Sequence, residues 1–307
     1  MDNNNKDKGR VVAQRIHTFM WFSPPPWSAK NKNVLITGAS AGIGAELAKN
    51  FAIQGSSLAL LARNKDALME VAKECRNLGS PSVEVFKCDM TNNSQIKEAV
   101  CSALKIFGGR LDVIVLNAGR SQGCYFEEIK DVESIDYMLR LNINGVINAI
   151  HYSLPSIPKS LNSRIVIISS VAGLIPVPYR TIYCATKHAL VGFANALRLE
   201  LCDTYGGTDD GAPVVQLINF PEVKGTSLNN TRIEFGADIP PMQFKITPSM
   251  MSVQEACKQL MKQIENASRE WGQPTIIKII RFIYGFMPNF FDKIITKKVK
   301  SSHYRPE

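Results

Sequence analysis

The residues best suited to chemistry are a tyrosine and a lysine in the segment Y-C-A-T-K. Tyr183 and Lys187 stand four positions apart. Residues at this spacing share one face of a helix, so the ammonium can lie close to the phenol. A free phenol titrates near pH ~10, and a neighbouring cation favours its ionised form. The sequence therefore predicts that Lys187 lowers the pKa of Tyr183, and that Tyr183 works as a general acid and base.

A glycine-rich turn, T-G-A-S-A-G-I-G, begins at Thr37, where an apolar run ends and an amphipathic pattern follows. In a strand, turn and helix of this kind, glycines let the backbone approach a pyrophosphate at the helix N-terminus. The position of the motif, rather than the glycines alone, predicts dinucleotide binding. The predicted cofactor contacts in this turn are Gly38, Ser40, Gly42, Ile43 and Gly44.

The end of the second predicted strand bears on the choice between NAD and NADP. An acidic residue about 20 positions after the glycines would bind the ribose 2′-hydroxyl of NAD. The sequence instead reads Leu61-Ala62-Arg63-Asn64, and a guanidinium can bind a 2′-phosphate through two hydrogen bonds. Arg63 therefore predicts NADP(H). The alternative is that Arg63 is a solvated loop cation paired with the nearby Asp66.

Short apolar runs alternate with helical patterns along the chain, and this order predicts βαβ units. The runs are apolar on successive residues, which is typical of parallel strands covered on both faces. We therefore expect a single doubly wound α/β domain, a parallel sheet flanked by helices, over residues 32–260. The predicted strands are 34–37, 58–62, 83–88, 113–117, 165–169 and 214–219.

Three further segments complete the predicted domain organisation. Residues 227–251 contain three prolines and no long helical pattern, which favours either a mobile cap over a substrate cleft or a plain surface loop. Residues 1–31 are a polar and amphipathic N-terminal segment that ends in a proline-rich linker. Residues 261–307 are a basic, apolar C-terminal segment, which we expect to be helical.

The net charge of +9 is confined to the two ends of the chain. Residues 34–260 carry 21 basic and 21 acidic side chains, whereas the first 33 residues contribute +4 and residues 261–307 contribute +5. This partition disfavours nucleic-acid binding and suits an anionic membrane surface, where each basic residue adds about 1 kcal/mol. The alternative is that both ends are solvated tails.

Seven scattered cysteines and four histidines without ligand spacing predict neither disulfides nor a metal site.

The C-terminal end holds a mostly apolar run over residues 275–291, with Lys278 and Arg281 three positions apart. A helix of this composition lies in a membrane interface better than it crosses a bilayer. A buried core helix or a dimer helix would show a similar pattern. Because neither end supplies ~20 uncharged apolar residues, we expect no transmembrane helix, and we also expect no signal peptide.

Six motifs, in order, resemble the short-chain dehydrogenase/reductase family, and more closely its 11β-hydroxysteroid dehydrogenase-like branch. They are T-G-A-S-A-G-I-G (37–44), C-D-M-T (88–91), L-N-A-G (116–119), N-I-N-G (142–145), I-S-S-V-A-G (168–173) and Y-C-A-T-K (183–187). The resemblance covers residues 32 to about 226 and implies a Rossmann-type fold. The resemblance also implies three cofactor contacts. Asp89 would hold the adenine, Asn117 would line the cofactor site, and Thr226 would contact the nicotinamide amide. It also implies a catalytic tetrad of Asn142, Ser170, Tyr183 and Lys187.

By the same resemblance, Lys187 holds the nicotinamide ribose, and Asn142 anchors a water that leads protons to Lys187. Ser170 would fix the substrate oxygen while Tyr183 protonates it. The chain departs from the family after the sixth strand, where the family has Pro-Gly and this sequence has Pro221-Glu222. Because glycine permits a close backbone approach or a positive φ, Glu222 alters this end of the site and places a carboxylate near its mouth.

These features predict a membrane-associated, NADP(H)-dependent oxidoreductase that interconverts a secondary alcohol and a ketone on a hydrophobic molecule such as a steroid. A 3-ketosphinganine, a retinoid or a xenobiotic carbonyl is the alternative substrate. A cofactor-binding scaffold on a membrane or lipid droplet is the alternative to an enzyme. We expect a homodimer on the cytosolic face of the endoplasmic reticulum or of a lipid droplet.

Overall fold

Aliphatic and β-branched runs form the strands of a parallel sheet. The computed structural model describes residues 27–160, 162–205, 211–226, 243–244, 250–271, 279, 281–282, 284 and 286–304. The strands in these residues are β1 (Asn33–Thr37), β2 (Ser57–Ala62), β3 (Val83–Lys87), β4 (Val113–Leu116), β5 (Arg164–Ser170), β6 (Val214–Phe220), β7 (Gln243–Phe244), β8 (Glu270–Trp271) and β9 (His303–Tyr304). The main sheet has the order β3-β2-β1-β4-β5-β6-β8, and its strands pair in parallel.

Helices cover both faces of this sheet. They are α1 (Gly42–Ile53), α2 (Lys65–Asn77), α3 (Asn93–Ile106), α4 (Val132–Leu139), α5 (Gly145–Ser153), α6 (Thr181–Thr204), α7 (Val253–Glu265) and α8 (Pro288–Ser302). Apolar side chains of α1, α2 and α7 pack on one face, and those of α3, α5 and α6 pack on the other. Burial on both faces explains why the strands are apolar on successive residues.

The strand order reverses between β1 and β4, because β2 and β3 lie on one side of β1 and the later strands lie on the other. In doubly wound sheets, ligands bind outside the carboxyl ends of the strands at this switch point. The predicted fold class is confirmed, and the six predicted strands are found within one residue at either end.

The predicted domain boundary at residue 260 falls inside helix α7. A capping box starts this helix, since the Ser252 hydroxyl accepts a hydrogen bond from the Glu255 amide at 3.2 Å and the Glu255 carboxylate accepts one from the Ser252 amide at 2.8 Å. The chain then adds β8 to the sheet, where Glu270 and Trp271 pair with Leu217 and Ile218 of β6. Residues 261–271 are therefore part of the central domain.

The C-terminal end forms helix α8 and strand β9, and β9 pairs antiparallel with β7. The apolar run at 275–291 overlaps the start of α8, and part of that run lies outside the described residues. Most of the expected cap, residues 227–251, and the N-terminal residues 1–26 also lie outside them. No helix in the described part of the chain is long and apolar enough to cross a membrane.

Candidate active site

A cavity of about 990 Å³ opens at the carboxyl ends of the strands. Eleven of the residues that the sequence analysis assigned to the site line it, namely Gly38, Ser40, Gly42, Ile43, Arg63, Asp89, Asn117, Ser170, Tyr183, Lys187 and Thr226. Gly44 and Asn142 are not among the lining residues. The cavity therefore contains both predicted halves of the site, the dinucleotide contacts and the proton-transfer residues.

The glycine turn brings β1 against β4 at one end of the cavity. Gly38 has a φ of 66°, and a Cβ there would lie 2.9 Å from the Ala118 Cα. A Cβ on Gly44 would overlap the Gly38 carbonyl and lie 2.6 Å from the Asn117 amide nitrogen. That amide donates hydrogen bonds to the Thr37 and Gly38 carbonyls at 3.1 and 3.2 Å. Both glycines are thus required by close backbone packing.

Helix α1 begins at this turn with free backbone N–H groups. Its N-cap residue, Ala41, makes no side-chain hydrogen bond, and its first turn carries no acidic residue. Uncapped N–H groups at a helix start, together with the helix dipole, form a binding site for phosphate groups. Ala41 and Gly42 line the cavity, so the start of α1 borders the space that a pyrophosphate would occupy. The residues present at the turn therefore fit a dinucleotide.

Arg63 lies at the end of β2 with its side chain exposed to the cavity. Its guanidinium donates a hydrogen bond to the Tyr137 hydroxyl of α4 at 2.7 Å. The expected alternative partner, Asp66, lies in the first turn of α2, where Asn64 is the N-cap. Asp89 also lines the cavity, and its carboxylate accepts hydrogen bonds from the Thr91 amide and hydroxyl, both at 2.9 Å.

Tyr183 sits in the first turn of α6 and is almost wholly buried, at 4% exposure. Burial raises the pKa of Tyr183 to about 12, because the phenolate loses its hydration and this outweighs the opposing effects of Arg180 and of the hydrogen bond with Ser170. Ser170 is the last residue of β5, and its hydroxyl accepts a hydrogen bond from the Ala172 amide at 3.2 Å. Ser170 and Tyr183 are thus adjacent hydroxyl groups on the cavity wall.

Lys187 lies one turn further along α6. Its ammonium nitrogen is 5.5 Å from the centre of the Tyr183 ring and donates a hydrogen bond to the Ile168 carbonyl at 3.0 Å. Burial lowers the pKa of Lys187 to about 8. The two side chains lie close together, as predicted, but the pKa of the buried phenol is raised overall, because desolvation outweighs the opposing charge of Arg180.

Asn142 lies in a π-helical turn, Arg140–Asn144, between α4 and α5. Its side chain is fully buried and makes hydrogen bonds with two other segments of the chain. The carbonyl oxygen accepts a hydrogen bond from the Arg120 amide at 2.9 Å, and the amide nitrogen donates to the Arg120 carbonyl at 2.9 Å and to the Thr186 hydroxyl at 3.1 Å. A Cβ on Gly119 would lie 3.2 Å from this carbonyl oxygen and 3.9 Å from the Lys187 nitrogen. The Asn142 carbonyl oxygen and the Lys187 nitrogen therefore both lie close to Gly119, which lines the cavity.

Gln122 positions the start of α6, and the sequence did not predict this role. Its side chain is fully buried, and its carbonyl oxygen accepts hydrogen bonds from the backbone amides of Ile182 and Tyr183 at 2.8 and 3.4 Å. Helix α6 begins after Arg180, which provides no side-chain cap. Gln122 supplies that cap from 61 residues away, a separation at which no local sequence signal exists.

The segment after β6 brings Glu222 and Thr226 to the cavity. The Glu222 carboxylate accepts two hydrogen bonds from one nitrogen of Arg180, at 3.1 and 3.3 Å. Thr226 faces the glycine turn, since a Cβ on Gly42 would lie 4.0 Å from the Thr226 Cα. The Thr226 hydroxyl donates a hydrogen bond to the Val223 carbonyl at 3.2 Å.

Helix α8 covers part of the cavity, which the sequence did not predict. Its lining residues are apolar: Phe291, Ile294, Ile295 and Val299. They share one helical face, since they stand three, four and eight positions apart. Ile295 is 7% exposed, whereas Phe290 on the outer face is 53% exposed. The part of the cavity wall that α8 forms is therefore apolar.

Comparisons with known proteins agree with this architecture. Residues 32–205 match the family described as short chain dehydrogenase. The 11-beta-hydroxysteroid dehydrogenase-like 4A of Arabidopsis thaliana is 38% identical over 177 residues, which are 58% of this chain and 58% of that protein. The 11-beta-hydroxysteroid dehydrogenase A of Sesamum indicum is 30% identical over 278 residues, which are 90% of this chain and 78% of that protein.

A solved structure shares the fold. The short chain dehydrogenase/reductase of Burkholderia phymatum, in complex with NAD, has a TM-score of 0.72 at 22% identity and covers 85% of this chain and 96% of its own. Because the family match covers more than half of the chain and contains the glycine turn, Ser170, Tyr183 and Lys187, the protein belongs to the short-chain dehydrogenase/reductase family. Its relatives place it in the 11β-hydroxysteroid dehydrogenase-like branch.

Proposed function

We propose that this protein is an NADP(H)-dependent oxidoreductase that interconverts a secondary alcohol and a ketone on a hydrophobic substrate. The observation that carries the proposal is the single cavity in which the glycine turn, the Ser170 and Tyr183 hydroxyls and the apolar face of α8 meet. A dinucleotide, a proton donor and an apolar substrate would therefore lie in contact. This arrangement is the one that carbonyl reduction requires.

The cofactor half of the cavity supports NADP(H). The N–H groups at the start of α1 would bind the pyrophosphate, and the Arg63 guanidinium would bind a 2′-phosphate. Arg63 has donors beyond the one that bonds Tyr137, so it can bind a phosphate while the tyrosine holds its orientation. When bound, the cofactor supplies or accepts a hydride at its nicotinamide ring.

The chain's own residues handle the proton. Ser170 would donate a hydrogen bond to the substrate oxygen, and Tyr183 would donate its proton to that oxygen during reduction. A phenol with a pKa of about 12 is protonated at neutral pH, so Tyr183 is ready to act as the acid. Lys187, behind the tyrosine, would hold the nicotinamide ribose, and Asn142 would anchor the proton path to Lys187 as the family resemblance implies.

The substrate half of the cavity supports a lipid. Four apolar residues of α8 line it, together with Val171, Ile175 and Val177. Burying a steroid-like or other lipid against them would supply binding free energy of about 25 cal/mol per Å² of apolar surface. The 11-beta-hydroxysteroid dehydrogenase names of the relatives point to the same class of substrate. A 3-ketosphinganine, a retinoid or a xenobiotic carbonyl shares the required chemistry.

The outer side of the C-terminal segment supports association with a membrane. Phe282, Phe286 and Phe290 are 72%, 76% and 53% exposed, and Lys293 and Lys297 are also exposed. Aromatic and basic side chains on one surface suit an anionic lipid interface. We further propose that the protein is a homodimer on the cytosolic face of the endoplasmic reticulum or of a lipid droplet.

The decisive experiment follows deuterium from cofactor to lipid. The purified full-length protein is incubated with a total lipid extract and with NADPH deuterated at nicotinamide C4, on each face in turn. Labelled NADH is offered in parallel, and the extract is analysed by mass spectrometry. We expect a deuterated lipid alcohol from one face of NADPH, with at least tenfold less from NADH, roughly the effect of one charge-assisted contact.

The other outcomes separate the alternatives. Label transfer from NADH alone would contradict the assignment of NADP(H) from Arg63. A labelled product that is not a lipid would contradict the substrate class while leaving the enzyme class intact. If NADPH binds and no transfer occurs in either direction, including reduction of NADP⁺ by the same extract, the cofactor-binding scaffold would be the better reading.

A further inference from the structure

A hydrogen bond joins the end of β2 to helix α4 at the edge of the cavity. The Nη1 nitrogen of Arg63 donates to the Tyr137 hydroxyl at 2.7 Å. The two residues are 74 positions apart in the sequence. Arg63 lines the cavity, whereas Tyr137 is not among the lining residues. Tyr137 therefore bears on the cofactor half of the cavity through the arginine.

Tyr137 holds one corner of the Arg63 guanidinium and leaves the rest of it available. The five N–H donors of an arginine lie in one plane, and its Nε and Nη2 groups form an edge that can bind phosphate through two parallel hydrogen bonds. Tyr137 accepts from Nη1, which lies outside that edge. Within the part of the chain that the structure describes, Arg63 makes no ion pair, and Nε and Nη2 bond no protein acceptor. This edge is therefore available to an anion in the cavity.

Packing fixes the tyrosine, whereas the arginine is exposed. The Tyr137 ring packs against the apolar core beneath α3, α5 and α6, and also against the smaller cluster that contains Tyr183. Helix α4 begins at the cap residue Asp131, whose carboxylate accepts from the Glu133 amide at 2.9 Å. It continues into the π-helical turn that holds Asn142. A hydroxyl fixed in this way can select one orientation of a long, exposed side chain.

We propose that Tyr137 is a positioning residue for cofactor selection, which holds the Arg63 guanidinium in the orientation that binds the 2′-phosphate of NADP(H). This role rests on the proposed function, in which Arg63 binds that phosphate. NAD(H) carries a hydroxyl where NADP(H) carries the phosphate, so it cannot make the same charge-assisted contact. Tyr137 should therefore strengthen the binding of NADP(H) and leave that of NAD(H) nearly unchanged.

The expected effect comes from the freedom of the arginine side chain. A free arginine has many rotamers, and binding a phosphate selects one of them at a cost in entropy. The hydrogen bond with Tyr137 selects the orientation before the cofactor binds, so less freedom is lost on binding. Without the hydroxyl, the arginine regains its rotamers. Because a typical hydrogen bond has an effect of this size, Tyr137→Phe should weaken NADPH binding by roughly three- to tenfold.

The test compares dissociation constants in four proteins and requires no turnover. Isothermal titration calorimetry measures NADPH and NADH binding to the wild type, Tyr137→Phe, Arg63→Gln and the double variant Arg63→Gln/Tyr137→Phe. Adenosine 2′,5′-bisphosphate and adenosine 5′-monophosphate are titrated in the same way, because they differ only in the 2′-phosphate and contain no nicotinamide. Tyr152→Phe is the matched control, since the Tyr152 hydroxyl on α5 donates to the Asn93 side chain at 2.9 Å and Tyr152 is not among the lining residues.

The proposal predicts a selective loss. In Tyr137→Phe, NADPH and the bisphosphate should bind roughly three- to tenfold more weakly, whereas NADH and the monophosphate should change by less than about twofold. Arg63→Gln should weaken NADPH binding more strongly. Adding Tyr137→Phe to Arg63→Gln should have no further effect, because the tyrosine acts through the arginine. Tyr152→Phe should bind all four ligands as the wild type does.

Two results would show that Tyr137 acts in another way and would overturn the proposal. An equal loss of NADPH and NADH affinity in Tyr137→Phe would mean that the tyrosine supports the structure of the site rather than the selection of a phosphate. A loss in the double variant equal to the sum of the two single losses, in free energy, would mean that the tyrosine acts without the arginine.

The remaining outcomes separate this role from the proposed function. Unchanged NADPH affinity in Tyr137→Phe, beside a large loss in Arg63→Gln, would overturn the role of Tyr137 and leave the assignment of NADP(H) intact. Equal affinities of the wild type for NADPH and NADH, both unchanged in Arg63→Gln, would contradict the assignment of NADP(H) and the role of Tyr137 together. The expected affinities without any hydride transfer would contradict only the proposed catalysis.

Discussion

Tyr183 and Lys187 are buried together, and burial disfavours the charged form of each. It raises the pKa of Tyr183 to about 12 and lowers the pKa of Lys187 to about 8. At pH 7 the tyrosine is therefore neutral and the lysine is charged, and the cost of burying that ammonium reduces the stability of the fold. Functional sites often carry such a cost.

This cost predicts that Lys187→Met stabilises the fold near neutral pH, by roughly 1 to 3 kcal/mol. The folded-state pKa of Lys187, about 8, lies below the ordinary lysine pKa of 10.5. Below pH 8 both states hold the proton and the wild type bears the full cost. From pH 8 to 10.5 the unfolded state binds more protons, so wild-type stability rises with pH. Urea unfolding at pH 7 and pH 9.5 measures the difference.

The variant has no lysine to titrate at this position, so its advantage should shrink as pH rises. Lys65→Met serves as a control, because Lys65 is exposed on α2. An advantage of Lys187→Met that stays constant or grows between pH 7 and pH 9.5 would contradict a buried, charged lysine. The sequence predicted that Lys187 and Tyr183 lie close together, but burial, which no spacing reveals, decides their pKa values.

At the scale of elements, the strand β1, the glycine turn and helix α1 form one packed unit. Gly44 has no room for a side chain, because a Cβ would overlap the Gly38 carbonyl and approach the Asn117 amide. Gly192 lies in the middle of α6, and a Cβ there would meet nothing within 4 Å. Close contact therefore explains why residue 44 is a glycine, whereas no contact requires a glycine at 192.

This contrast predicts opposite effects for the same substitution. Gly44→Ala should destabilise the protein by roughly 1 to 3 kcal/mol and weaken NADPH binding, because the turn must move away from β4. Gly192→Ala should stabilise it by about 0.5 to 1 kcal/mol, the usual gain in a helix interior. Thermal unfolding and NADPH titration check both. Wild-type stability and NADPH affinity in Gly44→Ala would show that the turn adapts without cost.

The elements that the sequence predicted are those with local signals. The parallel strands follow from apolar runs, and the turn at Gly38 follows from glycine spacing. Two contacts join positions that are far apart in the sequence. Gln122 caps α6 from 61 residues away, and Arg180 pairs with Glu222 over a separation of 42 residues. Such contacts depend on how the strands are ordered in space, and a single sequence holds no local pattern for them.

In the whole molecule, helix α8 has two faces with different surroundings. Its inner face closes the cavity with Phe291, Ile294, Ile295 and Val299. Its outer face and the residues before it expose aromatic side chains. The charge at the C-terminal end predicted a surface segment, and the apolar run predicted an interfacial helix. That the same segment lines the cavity follows only from the tertiary structure.

The exposed aromatic residues predict binding to anionic liposomes. The triple variant Phe282→Ser/Phe286→Ser/Phe290→Ser should lower the bound fraction roughly tenfold or more, because apolar surface is no longer buried in the interface. Co-sedimentation with phosphatidylserine vesicles measures it. Leu199→Ser is the matched control, since Leu199 is 68% exposed on α6. Equal binding by wild type and triple variant would contradict a membrane role for this surface.

Deuterium transfer by Tyr183→Phe, with NADPH binding measured on the same sample, tests whether Tyr183 is the proton donor. We expect the variant to keep NADPH affinity within about twofold, because the phenylalanine preserves the packing of α6. We also expect transfer to the lipid product to fall by roughly 10² to 10⁴, the usual contribution of a general acid. Transfer at the wild-type rate would contradict Tyr183 as the proton donor, and with it the proposed mechanism.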